Sequence, residues 1–260
     1  MIHIETGATD TSSAMVLYRN VLAEGTLSAS TAAADGAGAN ALGPQTYDFW
    51  VPTAMPATLA VTLGAAVSCD ACAIIAHTLG SDGATINVQY FSGSWQTVAS
   101  YAPTDDADLL ILFPAASSTQ WRIQVTGSNI PAIGVAMIGP RLLIPGGVRA
   151  GYVPTDLALS VELMPSVTVA GQFIGTRVNR RGAGTTAALV PQERTWIEGA
   201  AAPFIAHYNA GGTFIWASAP AIMTNDMAYC WRAGETLSAS YNGGAIYGDM
   251  TLELSAYVGS

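Results

Sequence analysis

The chain has 260 residues, half of them apolar and only 10% charged, with 27 Gly and 13 Pro. Nine basic against 18 acidic residues give a net charge of −9, and every basic residue is Arg, so there is no basic face for nucleic acid. The apolar content excludes disorder, and the sparse charge leaves the surface to Ser, Thr, Asn, Gln, Gly and Ala, or to burial in an assembly.

Residues 1–18, opening MIHIETGATD, have neither the basic nor the apolar region of a Sec signal peptide and are expected to form an N-terminal arm. Short apolar runs bounded by Gly, Pro, Asp and Ser then predict seven strands: Ala57 to Leu63, Ala71 to His77, Thr85 to Tyr90, Trp95 to Tyr101, Asp108 to Phe113, Gln120 to Thr126 and Ile133 to Ile138. Their spacing suggests a sandwich or jelly roll with Trp50 and Trp121 inward. The clearest hairpin sets Ile86, Val88 and Tyr90 against Trp95, Val98 and Tyr101 across Ser92-Gly93-Ser94, and Trp95 is assigned to packing.

Cys69 and Cys72 form a CxxC inside a predicted strand rather than at the start of a helix, and Cys230 stands alone, so neither a redox motif nor a zinc site is expected. Asp105, Asp106 and Asp108 follow Pro103, where Asp favours a turn through local hydrogen bonds. The most apolar stretch, 129–148, is broken by Pro131, Gly134, Gly139, Pro140, Arg141 and Pro145, so no membrane insertion is expected.

The Gly- and Pro-rich passage from Ile144 to Pro154 marks a boundary, after which a second β-rich domain over 146–260 is expected. Its strands are Ala158 to Met164, Val167 to Val178, Thr213 to Ala217, Met227 to Trp231, Leu237 to Tyr241 and Thr251 to Val258. Trp196, Ala200, Phe204 and Tyr208 recur at helical spacing, with Pro203 bending the helix or starting a second one and Gly211 and Gly212 ending it. Arg177, Arg180 and Arg181 are the one basic concentration and are read as a solvated hairpin tip. His3, His77 and His207 are scattered, and neither GxSxG nor HExxH occurs, so no catalytic residue, metal or cofactor is expected.

From Asn20 to Gly139 the order of features resembles the galactose-binding-like, discoidin-type jelly rolls. It runs NVLAEGTLSAST, ANALGPQTYDFWVP, LAVTLGAAVSCDACAIIAH, the hairpin NVQYFSGSWQTVASY, the acidic turn TDDADLLILF and the closing WRIQVTGSNIPAIGVAMIG. The resemblance implies a jelly roll over 19–145 and a glycan or lipid site in loops at one end, where Tyr47, Asp48, His77, Asp82 and Asn129 would lie. It implies no calcium, since Leu42 and Gly43 stand where the family often has Asp-Gly. Trp50, Trp95 and Trp121 are read as core or hairpin packing, with sugar stacking the lesser alternative, and His77, at a strand end, is otherwise a solvated edge residue.

Residues 195–258, with PFIAHYNAGGTFIWASAP, NDMAYCWRAGE and GDMTLELSAYV, are similar to the C-terminal parts of distal tail and baseplate proteins of long-tailed bacteriophages. That resemblance implies a structural virion protein of the tail tip or baseplate, part of a symmetric assembly put together in the host cytoplasm. Its partners would be further copies of itself and neighbouring tail proteins, with host-surface glycan contacted through the jelly roll. A lectin-like carbohydrate-binding module without a virion role is the alternative, and a polysaccharide-active enzyme the third reading.

Overall fold

The computed structural model describes residues 1–242 and 244–259, with the backbone alone for Arg180. It is mainly β, as expected. In chain order the strands are β1 (Ile2–Ile4), β2 (Ala14–Leu17), β3 (Thr26–Ala29), β4 (Ala57–His77), β5 (Thr85–Phe91), β6 (Trp95–Tyr101), β7 (Leu109–Thr126), β8 (Ile133–Gly139), β9 (Leu142–Ile144), β10 (Leu159–Val167), β11 (Phe173–Ala188) and β12 (Gln192–Glu193). Helices α1 (Arg194–Glu198) and α2 (Ala202–Asn209) follow, then β13 (Phe214–Ala217), β14 (Met227–Arg232), β15 (Ser240–Tyr241), β16 (Tyr247–Asp249) and β17 (Thr251–Ala256). The chain divides into two compact units, the first made of Met1–Pro145 and Phe214–Met227, the second of Gly146–Thr213 and Ala228–Val258.

The first unit is a sandwich built on two long strands. The early half of β4, Ala57–Thr62, pairs with the late half of β7, Gln120–Val125, in a layer ordered β3-β4-β7-β5-β6. Beyond register shifts at Thr62/Val67 and Cys69/Ala71, the same two strands pair again in a second layer, where β8 joins β4 and β1 joins β7 in parallel. Bulges of this kind bend a strand and raise its twist, which carries it from one layer to the other. The sequence reading divided each long strand into two, because Gly64 to Ser68 and Pro114 to Thr119 break the apolar alternation without ending the pairing. Between the layers Trp50, Leu59, Ile74, Phe113 and Trp121 are fully buried, with Trp50 and Trp121 inward as expected.

The expected N-terminal arm is instead part of this unit: β1 lies along β7, and β2 sits between β9 and β13. Its reason is apolar content, since Ala14, Met15, Val16 and Leu17 are each wholly buried. The β5–β6 hairpin also differs in detail. Phe91, not Tyr90, faces Trp95, and a register shift at Val88/Gln89 puts Ala99 rather than Val98 opposite Val88. Gly93, at φ 77°, supplies the left-handed turn residue.

In the second unit β10-β11-β17-β14 form one sheet and β12-β16-β15 a small one. The expected helical stripe is two helices: α1 ends at Gly199, and α2 opens with Pro203 in its first turn, where the missing N–H costs nothing. Ile197, Phe204 and Tyr208 are buried while Ala200 is exposed, because the break rotates the second helix out of the continuous pattern. Gly211, at φ 81°, ends α2 as expected. The Tyr208 hydroxyl donates to the Glu253 carbonyl at 2.8 Å and accepts from the Glu253 N–H at 3.2 Å, which docks α2 on β17.

Candidate functional site

The five loop-end residues do not converge into one polar cluster. Thr78 Oγ1 donates to Asp82 Oδ2 at 2.6 Å and accepts from the Ala132 N–H at 2.9 Å, while Asn129 Nδ2 donates to the Asp82 carbonyl at 3.1 Å. Asp82 and Asn129 are thus brought together, and their bonds hold the 78–83 turn against the loop before β8. His77, read from sequence as a solvated edge residue, is only 4% exposed and faces Ile133 across β8. Its Nδ1 accepts from the Leu79 N–H at 3.2 Å, and burial lowers its pKa against the opposing field of Asp106, so it is neutral at pH 7 and supports the turn. Tyr47, 79% exposed, and Asp48 stand out on a separate loop with no hydrogen bond to the other three among the described residues.

The acidic turn is structural. Asp105 Oδ1 accepts from the Ala107 N–H, Asp106 Oδ1 from Ser81 and Asp108 Oδ1 from Ala76, at 2.9–3.1 Å. Ala76 has φ 51°, a strained conformation that the Asp108 bond helps to hold. Burial pushes the Asp108 carboxyl up to about 6 from its ordinary 3.8. Its charged form therefore opposes folding above pH 6, and that penalty disappears as pH falls from about 6 to about 4. His77 acts oppositely: with its folded pKa depressed, stability is lost as pH falls below its ordinary 6.5, because the unfolded chain takes the proton. Asp108→Asn is expected to stabilise the protein by about 1–2 kcal/mol near pH 8, with the gain gone near pH 4. Urea unfolding across that pH range checks it, and a pH-independent gain would contradict the assignment.

A different constellation lies on the solvent face of the β3-β4-β7-β5-β6 layer. Strand alternation turns Ile86 and Val88 of β5 and Trp121, Ile123 and Val125 of β7 inward, so Asn87, Gln89, Gln120, Arg122 and Gln124 lie on the outer side, where Gln89 is itself only 7% exposed. The registers align Thr97, Gln89, Arg122, Ala60 and Ser28 in one row across five strands, flanked by Ser100, Asn87, Gln124 and Thr58. Arg122 Nε donates to Gln89 Oε1 at 2.6 Å, and Gln89 Nε2 donates to Thr97 Oγ1 at 2.8 Å. The Arg122 guanidinium lies 4.1 Å from the centre of the Trp95 ring, and Phe91 meets that ring edge-on at 5.5 Å. No carboxylate pairs with Arg122 among the described residues. The face therefore offers fixed donors and acceptors, one cation without a counter-ion, and a half-buried indole.

Sequence reading favours packing for Trp95 over sugar stacking and does not find this face. Alternation along β5 and β6 carried a signal for Gln89 and Thr97, but Arg122 reaches Trp95 only through strand pairing across 26 intervening residues, which no local pattern reports.

Other chemistry is spare. Cys69 and Cys72 are buried in β4, and burial pushes the Cys69 thiol up to about 12 and raises that of Cys72, so neither is a reactive thiolate at neutral pH. Among the described residues no group of three or more His, Cys, Asp or Glu could hold a metal, and no helix is long and apolar enough to cross a membrane. In the second unit a cleft of about 600 Å³ is lined by Glu162, Arg181, Trp231 and Ser255 among others; Glu162 is its one carboxylate among the described residues, where glycoside hydrolysis needs two. Arg177 and Arg181 lie along β11 rather than at the hairpin tip of 168–172, and the Arg180 side chain is outside the described residues.

No family model matches the chain, and no curated protein does. Among solved structures it is similar to chitosan-binding module 1 of a chitosanase/glucanase from Paenibacillus sp. IK-5, at 18% identity and a TM-score of 0.39, over 46% of this chain and 98% of that one. A second is the CBM32 module of AlyQ in complex with 4,5-unsaturated mannuronic acid, at 18% identity and a TM-score of 0.38, over 47% and 96%. A third, a Ruminococcus gnavus GH29 fucosidase in complex with fucose, has 16% identity and a TM-score of 0.41, and the likeness covers 48% of this chain but 27% of the enzyme.

Proposed function

We propose that the chain is a non-catalytic carbohydrate-binding protein and that the outer face of the β3-β4-β7-β5-β6 layer is its glycan platform. The observation that carries this reading is the ordered run Thr97–Gln89–Arg122–Trp95 on an otherwise uncharged, solvent-facing sheet. Sugars combine apolar C–H faces with dense hydroxyls, so they are recognised by an aromatic surface beside directional polar groups. Gln and Arg held by their neighbours lose little side-chain freedom on binding, which spares part of the ordering cost. The unpaired Arg122 favours saccharides bearing a carboxylate, because its remaining N–H donors match that group. A flat face buries few ligand atoms, so affinity for one short chain is weak, with Kd about 0.1–1 mM.

Affinity electrophoresis in gels containing alginate or a neutral glucan tests it. Retardation by alginate is expected, weakened about tenfold or more by Trp95→Ala and by Arg122→Gln. Absence of retardation in either gel would reject the reading, and retardation abolished by Tyr47→Ala but untouched by Trp95→Ala would transfer the site to the loop end.

A tail-tip role is the second reading. Its specific support is the order of elements after residue 193: two helices, the aromatic strand FIWA, the Tyr-x-Trp strand β14 and β17. It requires a closed ring of copies in electron micrographs, and a chain that forms none removes it.

A further inference from the structure

Strands β10 and β11 form a ribbon in which β10 pairs with β11 alone among the described residues, and every residue of β10 is exposed. The exposure is not random. Registers Leu163↔Val178 and Val167↔Phe173 put Leu159, Val161, Leu163, Pro165, Val167, Phe173 and Val178 on one face. Ser160, Glu162, Met164 and Ser166 of β10, with Gly175, Arg177 and Gly182 of β11, take the other.

The apolar face continues the core face of the sheet. Ala183 and Ala187 of β11 share its parity, are buried, and pair with buried Ala256 and Leu252 of β17. Toward the hairpin tip the same face runs on without cover from the described residues, so Leu159, Leu163, Val167 and Phe173 are 55–68% exposed. Binary alternation is a device for burying one side of a strand. Here the side it prepares for burial meets water.

We propose that this face of the ribbon packs on the same face of a second copy of the chain, giving an isologous dimer. Area supports that occupant. Seven apolar side chains at roughly 80–100 Å² exposed each give about 600 Å² per copy and about 1,200 Å² for the pair, the lower end of specific interfaces. Local charge supports it too: the face carries one charged side chain among the described residues, Arg181 at its foot, so two copies can meet there without bringing the chain's excess of carboxylates together. Stacking two such faces at about 10 Å sheet spacing buries both at once.

The test is the mass of the full chain by light scattering between about 1 and 100 μM, a range that spans modest dimer affinities. Twice 26.7 kDa is expected. Leu163→Glu should raise the dimer Kd at least about 100-fold, since each copy would bury an unpaired carboxylate, while Met164→Glu, one residue along on the opposite face, should leave the mass unchanged. Because β10 pairs only with β11 among the described strands, both variants are expected to keep the rest of the fold, and circular dichroism checks it. A wild-type monomer at the highest concentration overturns the proposal, as does equal loss in the two variants. Sedimentation with phosphatidylcholine/phosphatidylglycerol vesicles that depends on Leu163, without dimerisation, would also overturn it and assign the face to a lipid surface.

Discussion

Asp70→Ala is expected to destabilise the first unit by about 3–5 kcal/mol, the range for a buried charge left without its partner. Asp70 falls at the Cys69/Ala71 shift in β4, and its two carboxylate oxygens accept from the backbone N–H and Nε of Arg141, each at 2.9 Å. The Arg141 side chain is 2% exposed; Nη2 donates to the Thr9 carbonyl at 3.0 Å, and Nη1 has no hydrogen-bond partner among the described residues. The guanidinium therefore depends on Asp70 for its counter-charge and for its Nε hydrogen bond, while the other Asp70 oxygen holds the Arg141 backbone N–H. Asp70→Leu combined with Arg141→Leu should recover most of the loss, because an apolar pair carries no desolvation cost. Urea unfolding of the two variants measures the difference; equal instability in both would show that backbone geometry at the bulge, not the charge, is what matters.

Trp121→Ala should cost about 3–5 kcal/mol and Trp121→Phe about 1 kcal/mol or less. Trp121 is wholly buried, with ring centres of Tyr90 and Phe113 at 5.8 and 6.2 Å, so truncation opens a cavity between the two layers. Its indole N–H, however, has no acceptor among the described residues, and removing an unsatisfied donor offsets part of the lost volume. Trp50 provides the contrast: its Nε1 donates to the Thr31 carbonyl at 3.1 Å, so Trp50→Phe should cost more than Trp121→Phe. Thermal melts of the two Phe variants decide it, and the reverse order would contradict the bonding assigned here.

How much of this was legible in sequence follows the range of the interactions. Alternation exposed the β5–β6 hairpin, and Pro203 with Gly211 marked the start and end of α2, because these signals act within one turn or one pair of strands. The bends that make β4 and β7 each serve both layers were not legible, since a bulge is defined by the partner strand and not by the bulged one. The inward role of His77 was hidden for a related reason: a lone histidine at a strand end reads the same whether or not Ile133 and the acidic turn close over it. The Arg122–Trp95 contact needed the order β7-β5-β6, a topological fact. The apolar alternation of β10 was visible as a strand, but whether its face was covered could be decided only once the neighbours of that strand were known.

The placement of β13 has a consequence for how this protein is made. β2 is flanked by β9 and by β13, which arrives from Phe214–Ala217. A ribosome adding 5–20 residues per second leaves about 200 residues, and so about 10–40 s, between the emergence of β2 and that of its second neighbour. Throughout that time one edge of the wholly apolar AMVL strand is open to pairing with anything else nearby, and the residues up to Thr213 are synthesised before the first unit can be completed. A gene fragment stopped at Pro145 would therefore yield a sandwich with a permanently open edge. A version in which Phe214–Met227 is joined back to Pro145 through a flexible linker should stay in solution where the simple truncation aggregates.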